Sequence, residues 1–259
     1  LLEDTPADDM IFSYDLHIHS ALSPCAEEEM TPNNILNMAM VRGIDMIAVT
    51  DHNSTANLRA FSKCAEDKTV IFIPGIEVES AEEVHIVCLF PDVDSACRFG
   101  EVVRDKLPDI RNDADLFGEQ YIMSENDDIT GHEDQMLLFA SSMTLEEVFS
   151  LADRYGGAAY FAHADRNTYS IYSALGTLPE DVDAGVIELS DSEAGRAFAI
   201  GRKELEGRQL LYCSDAHRLA DMSIGDNYID LPVKSERPDA ADVVKCIKDM
   251  IHSGKEQSR

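Results

Sequence analysis

Positive charge is scarce in this sequence. Over 259 residues, 21 Lys and Arg stand against 50 Asp and Glu, a net charge of −29 with a pI near 4.4. Such a surface repels phosphate backbones, so long duplex nucleic acid is not an expected partner. A small phosphorylated substrate stays possible, provided that something cationic sits in the site itself. Long apolar runs are also missing: none reaches the roughly 18 residues of a membrane span, so no membrane association is expected. The six cysteines, Cys25, Cys64, Cys88, Cys97, Cys213 and Cys246, never form C-x-x-C. That reads as reduced thiols and excludes a disulfide framework or zinc knuckle. The start, Leu1-Leu2-Glu3-Asp4, carries no signal-peptide pattern, and the cytoplasm is the expected compartment. No G-x-S-x-G elbow is present to seat a nucleophilic serine.

What is present is an alternation of short apolar runs and helical patterns. Strands are expected at Phe12 to Ile18, Ile44 to Thr50, Val70 to Val78 and Val84 to Phe90. Between the first two, Thr31-Pro32 reads as an N-cap with proline at the first helical position, and Gly43 as the stop. A helix over about Thr55 to Glu66 follows the second strand. Residues 91–143 break the rhythm and read as an insertion containing a helix and an exposed hairpin. The pattern resumes with the capping-box sequence Thr144-Leu145-Glu146-Glu147. Strands at Ala158–Ala162, Gly185–Leu189, Leu210–Cys213 and Asn227–Leu231 and a helix from about Asp239 to Ile251 complete the chain. The fold class is therefore α/β. About seven β/α units in a single domain, 1–259, argue for a closed or nearly closed barrel, with a doubly wound sheet as the alternative. Met38, Met40 and Met46 lie at core spacing and read as packing.

The histidines are not scattered. Of eight, His17, His19, His52, His85, His163 and His217 fall at the ends of expected strands, while His132 and His252 do not. Strand ends are where an α/β barrel carries its chemistry. In Asp15-Leu16-His17-Ile18-His19 a period of two puts Asp15, His17 and His19 on one face and Leu16 and Ile18 on the other. Asp215-Ala216-His217 repeats that spacing; Glu77 ends one apolar run, and Asp51 precedes His52. H-x-H alone is weak evidence, but the combined set is strong. Imidazole with carboxylate suits zinc, manganese or iron, and two ions bridged by a carboxylate suit displacement at phosphorus. Asp215 and His217 are candidate catalytic groups. Arg166 and Arg218, close to them or to His163 in sequence, are candidates to grip a phosphate with the guanidinium fork.

The segments Asp15-Leu16-His17-Ile18-His19-Ser20, Val49-Thr50-Asp51-His52-Asn53, Pro74-Gly75-Ile76-Glu77, Glu83-Val84-His85, Phe161-Ala162-His163 and Ser214-Asp215-Ala216-His217 occur in an order that resembles the polymerase and histidinol phosphatase (PHP) family of metal-dependent phosphoesterases. The resemblance implies a distorted (β/α)7 barrel with two or three divalent ions (Mn, Zn or Fe) at one end. His17, His19, Glu77 and Asp215 would hold the first ion; Glu77, His85 and His163 the second; His52 and His217 the third. The pattern departs at position 24, where relatives carry Asp or a nearby His and this chain has Pro24. Cys25, Glu27, Glu28 and Glu29 are the nearby replacements, in what reads as a solvated acidic turn.

The leading expectation is a hydrolase of phosphate esters: a small phosphomonoester, a nucleotide or the end of a short oligonucleotide. An amidohydrolase of related architecture would usually need a metal-bridging lysine. The lysines before the third strand's end, Lys63 and Lys68, flank a helix end and are not placed for that. A non-catalytic metal-binding module supporting a partner is the remaining alternative.

Overall fold

The first element shows how the chain departs from simple alternation. The computed structural model describes residues 10–256, with side chains through residue 253; Leu1-Leu2-Glu3-Asp4 lies outside the described residues. Strand β1 (Met10–Ile18) pairs in parallel with β2 (Met46–Val49), but the register slips between Asp15 and Ile18. Leu16 joins Phe12 and Tyr14 in one apolar layer, and Ile18 joins another. The expected sharing of one face by Leu16 and Ile18 therefore fails, because an irregularity in the ladder re-aims the side chains beyond it.

Between these strands runs α1 (Pro32–Arg42). Thr31 accepts a hydrogen bond from Asn34 N, and Gly43, at φ 69°, donates its N–H to the last turn. α2 (Leu58–Ala65), β3 (Ile71–Glu79), β4 (His85–Leu89) and α3 (Val93–Lys106) follow, then α4 (Ala114–Phe117) and the hairpin β5 (Tyr121–Met123) and β6 (Ile129–His132). The capping box at Thr144 and Glu147 opens α5 (Leu145–Arg154). The chain continues through β7 (Ala158–Phe161), α6 (Ile171–Leu175), β8 (Val186–Ser190), α7 (Glu193–Ala199), β9 (Gln209–Cys213), β10 (Tyr228–Leu231) and α8 (Ala240–Glu256). α6 and α7 carry no long periodic signal and are held by the serine caps Ser170 and Ser192.

The large sheet has the order β10-β1-β2-β3-β4-β7-β8-β9. The pairs β2–β3, β7–β8 and β8–β9 are parallel like β1–β2, whereas β4 is antiparallel to both β3 and β7. The sheet curls so that the end of β9 meets β1. Ile18 and Ala216 form a parallel bridge, and His19 donates its N–H to Ala216 O at 2.9 Å. Below them, buried Asp15 accepts from Ser214 N (3.1 Å), Ser214 Oγ (2.7 Å) and Ser223 N (3.0 Å). This is a distorted barrel of seven strands. One strand is reversed, the seam is made largely by side chains, and β10 is added antiparallel outside β1.

Core packing leaves one end of the barrel for the site. Phe12, Tyr14, Leu16, Ile73, Tyr160 and Leu211 fill the interior, and Val243, Val244, Ile247 and Ile251 of α8 pack into the same cluster at the strands' opposite end. A second layer, including Ile35, Leu36, Phe61, Phe99 and Val148, lies between sheet and helices. Met46 is buried in the core, but Met40 faces solvent. Helix α3 buries Ala96, Phe99 and Val103 in this outer layer. The hairpin is tied to the rim by Asn57, which donates to Tyr121 O and accepts from Met123 N. No helix among the described residues is long and apolar enough to cross a membrane.

Candidate metal centre

Six of the seven barrel strands bring side chains to one rim. His17 and His19 end β1, His52 follows β2, Glu77 and Glu79 end β3, and His163 follows β7. Asp215 and His217 follow β9. His85 starts its strand instead of ending it, and reaches the same rim because β4 is reversed: it pairs in register with Glu79. His132, out on the hairpin, pairs with Glu119, and His252 bonds to Lys248 O, so neither joins the cluster.

Glu77 sits at the centre, wholly buried. Its Oε1 lies 2.9 Å from His85 Nδ1, 3.2 Å from His163 Nε2 and 3.3 Å from His17 Nε2. Its Oε2 lies 2.8 Å from His52 Nδ1 and 3.4 Å from His19 Nε2. Asp215 Oδ1 approaches His19 Nε2 at 3.0 Å and His17 Nε2 at 3.3 Å. Three overlapping groups have donor atoms close enough to hold an ion: His17, His19, Glu77 and Asp215; His52, Glu77 and His85; and His19, His52 and His217. The first matches the quartet that the resemblance implies. In the second, His52 takes the place expected for His163, and the third adds His19. Cys25 lines the cleft above, but its sulfur is in none of these groups.

The hydrogen bonds behind the cluster decide which nitrogens face it. His17 Nδ1 lies 2.9 Å from Glu188 Oε1; a carboxylate only accepts, so Nδ1 carries the proton. Ser23 Oγ donates its single hydrogen to Asp51 Oδ1 (2.8 Å) and therefore accepts from His19 Nδ1 at 2.9 Å. His217 Nδ1 donates to Asp215 O at 2.9 Å. The two Nε2 atoms of His17 and His19 then face each other at 3.1 Å. Two bare lone pairs at that distance repel unless positive charge, a proton or a metal ion, lies between them.

The electrostatics express the same demand. Burial favours neutral imidazole at His17 and His19, but the surrounding carboxylates outweigh it and raise both above the usual histidine range. Burial also opposes ionisation of Glu77 and Asp215, yet the facing imidazoles hold both well below the usual carboxylate range. Burial depresses His52 to about 3 and His217 to about 4, leaving the neutral imidazole that ligates metals. Glu77 Oε2, His85 Nδ1 and Asp215 Oδ1 are buried and make no well-aligned hydrogen bond despite their short approaches, as suits a site completed by ions. Backbone strain concentrates here as well: His163 (φ 28°), Asp215 (φ 50°) and Tyr169 (φ 55°) occupy the left-handed region.

Over the cluster opens a cleft of about 330 Å³ walled by Cys25, Glu79, Leu138, Thr168 and Tyr169. Arg166 lines it and places Nη1 2.5 Å from Asp215 Oδ2. Arg218 does not line it; its guanidinium is occupied by Asp221 at 2.7 and 3.2 Å. Residues that sequence reasoning passed over include Glu188, Ser23 and Glu79, whose Oε2 lies 3.9 Å from His85 Nε2. Glu188 left one usable signal, a lone acid in the apolar run Val186-Ile187-Glu188-Leu189.

Among curated proteins, the chain is 36% identical over 80 residues to the phosphoribosyl 1,2-cyclic phosphate 1,2-diphosphodiesterase of Eggerthella lenta, 29% of each chain. It is 35% identical over 78 residues to the 3′,5′-nucleoside bisphosphate phosphatase of Chromobacterium violaceum, 29% of this chain and 26% of that one. The matched segments thus span under a third of these relatives' lengths. Among solved structures, the lesion-specific endonuclease Q of Pyrococcus furiosus superposes with a TM-score of 0.65 at 22% identity, over 93% of this chain and 56% of that one. Another endonuclease Q structure holds a 27-mer duplex with an abasic lesion at its active site. The shared fold is thus compatible with duplex DNA in that protein. The PHP domain description matches residues 15–197, which carry every strand-end histidine except His217, and the chain accordingly belongs to the PHP domain family.

Proposed function

We propose that this protein is a metal-dependent phosphoesterase, which hydrolyses a small phosphomonoester, a nucleotide or the end of a short oligonucleotide. The observation that carries the reading is the 3.1 Å approach of His17 Nε2 to His19 Nε2, with both Nδ1 atoms committed elsewhere and carboxylates on either side. His17, His19, Glu77 and Asp215 would hold one ion, Glu77, His85 and His52 a second with His163 beside Glu77, and His19, His52 and His217 a third. Bound Mn, Zn or Fe supplies Lewis acidity and lowers the pKa of coordinated water, so that no side-chain nucleophile is needed.

The chain's own groups then position and discharge the substrate. Arg166, at the cleft wall and already paired with an acid, exchanges that partner for phosphoryl oxygens in a forked contact. Asp215 Oδ2, ionised and freed from Arg166, is the candidate to take the proton released by the attacking water and pass it to the leaving-group oxygen as the P–O bond breaks, with His217 beside it. Arg218, engaged by Asp221, is secondary in this scheme. Among the described residues no lysine lines the cleft, which weighs against the amide-hydrolysing alternative.

Protein purified without added ions is expected to contain at least two transition-metal ions per chain. It should hydrolyse members of a panel of nitrophenyl phosphate mono- and diesters and nucleotides. Metal-free protein whose activity ignores chelator overturns the reading; bound metal with no hydrolysis across the panel favours the non-catalytic module. Glu77→Ala should cost more metal and more activity than Arg166→Ala. The reverse order would discredit the ligand assignment.

A further inference from the structure

The cleft has a polar floor, while its wall sets the apolar surfaces of Tyr169 and Leu138 beside the polar Glu79, Arg166 and Thr168. Tyr169 stands at its side in the left-handed region, a conformation that disfavours a bulky residue and needs surrounding structure to hold it. Its carbonyl accepts the His85 N–H at 2.9 Å, and its ring stacks on the His85 imidazole with centroids 4.9 Å apart and planes 18° from parallel. One face of the phenol is thus used. The residue remains 48% exposed and lines the cleft, which leaves it accessible to a ligand beside the candidate metal centre.

The same short loop carries His163, Arg166 and Tyr169, and it is pinned rather than loose. Asp165 accepts from Ser190 N at 2.7 Å, Arg166 N–H reaches His163 O at 2.9 Å, and Ser170 Oγ donates to Arg166 O at 2.6 Å. Leu138 adds an apolar side chain to the cleft, held in place by Asn53, which donates to the carbonyls of Leu137 and Phe139. A substrate consisting of a bare phosphorylated sugar would meet Arg166 and leave these apolar surfaces wet. A substrate with a planar ring would cover them.

We infer that Tyr169 determines specificity: its open face stacks against the base of a nucleoside phosphate whose phosphate is held by Arg166. This deepens the phosphoesterase reading and rests on it for the chemistry, though not for the binding. Base–aromatic stacking is sequence-tolerant and contributes about 1–3 kcal/mol, a factor of about 5–150 in affinity.

The test compares adenosine 5′-monophosphate with ribose 5-phosphate on manganese-loaded protein, by calorimetric binding and by steady-state hydrolysis. Wild type should bind the nucleotide at least about fivefold tighter. Tyr169→Ala should abolish that preference, weakening the nucleotide about tenfold and ribose 5-phosphate by less than about twofold. Tyr169→Phe, which keeps the ring, should restore it. No wild-type preference, or equal losses on both probes, overturns the inference, as does loss of manganese in Tyr169→Ala that Tyr169→Phe does not repair, since Tyr169 would then merely steady His85. Failure of the phosphoesterase reading looks different: base preference in binding with no hydrolysis of either probe.

Discussion

At the scale of single residues, the candidate site is a problem of proton placement. Glu188 matters because it fixes the proton on His17 Nδ1 while also accepting the His163 N–H at 3.1 Å. Outer carboxylates of this kind orient ligating imidazoles and raise their basicity. Glu188→Gln preserves volume but can present an amide N–H to Nδ1, which would turn the lone pair away from the ions. It should weaken metal binding about 10- to 100-fold, as read by competition with a chromophoric chelator. Unchanged affinity would remove Glu188 from this role. The ligand types and their spacing are legible in the sequence, because H-x-H and D-x-H at strand ends are local patterns. The partners behind them are not. Glu188 meets His17 only after the barrel has closed, and Ser23, four residues from His19, carries no signal until Asp51 is seen to take its hydrogen.

At the scale of elements, β3 and β4 decide the geometry around Glu77. Gly75 lies two residues before it, where a Cβ would come 2.7 Å from Thr50 Cγ2, 3.0 Å from Leu89 Cδ2 and 3.2 Å from Cys88 O. Three neighbours from two adjoining strands cannot all withdraw cheaply. Gly75→Ala should destabilise the fold by about 1–3 kcal/mol in chemical denaturation and lower metal affinity by displacing Glu77. Wild-type stability would show that the strands can part. Most of the strands follow from their apolar runs, and α1 and α5 from their caps. The direction of β4 does not, since a run such as His85–Leu89 reads the same either way. The bulge in β1 was likewise hidden, because alternation in sequence assumes an even ladder.

For the whole molecule, the net charge of −29 sets how substrate arrives. A phosphorylated ligand must cross a repulsive field before it meets the cationic cluster proposed at the rim. Raising ionic strength from about 20 to 200 mM should therefore raise kcat/KM for a small anionic substrate, by about two- to fivefold, through screening. That sign is opposite to the loss expected when a basic groove releases counterions from nucleic acid. A fall in kcat/KM would mean that the local field of the site reaches beyond the acidic surface. Stepped-salt kinetics distinguish the two.

The seam between β1 and β9 has a consequence for timing. The quartet around Glu77 takes two ligands from the first strand and one from the loop after the ninth, nearly two hundred residues later. A nascent or half-assembled chain can offer His17 and His19 but not Asp215. It has no complete cage until Ser214 has docked on Asp15 and the curl has shut. Capture of an ion by the proposed quartet would thus be a check on completion, since the chain cannot assemble that cage before it has acquired its shape.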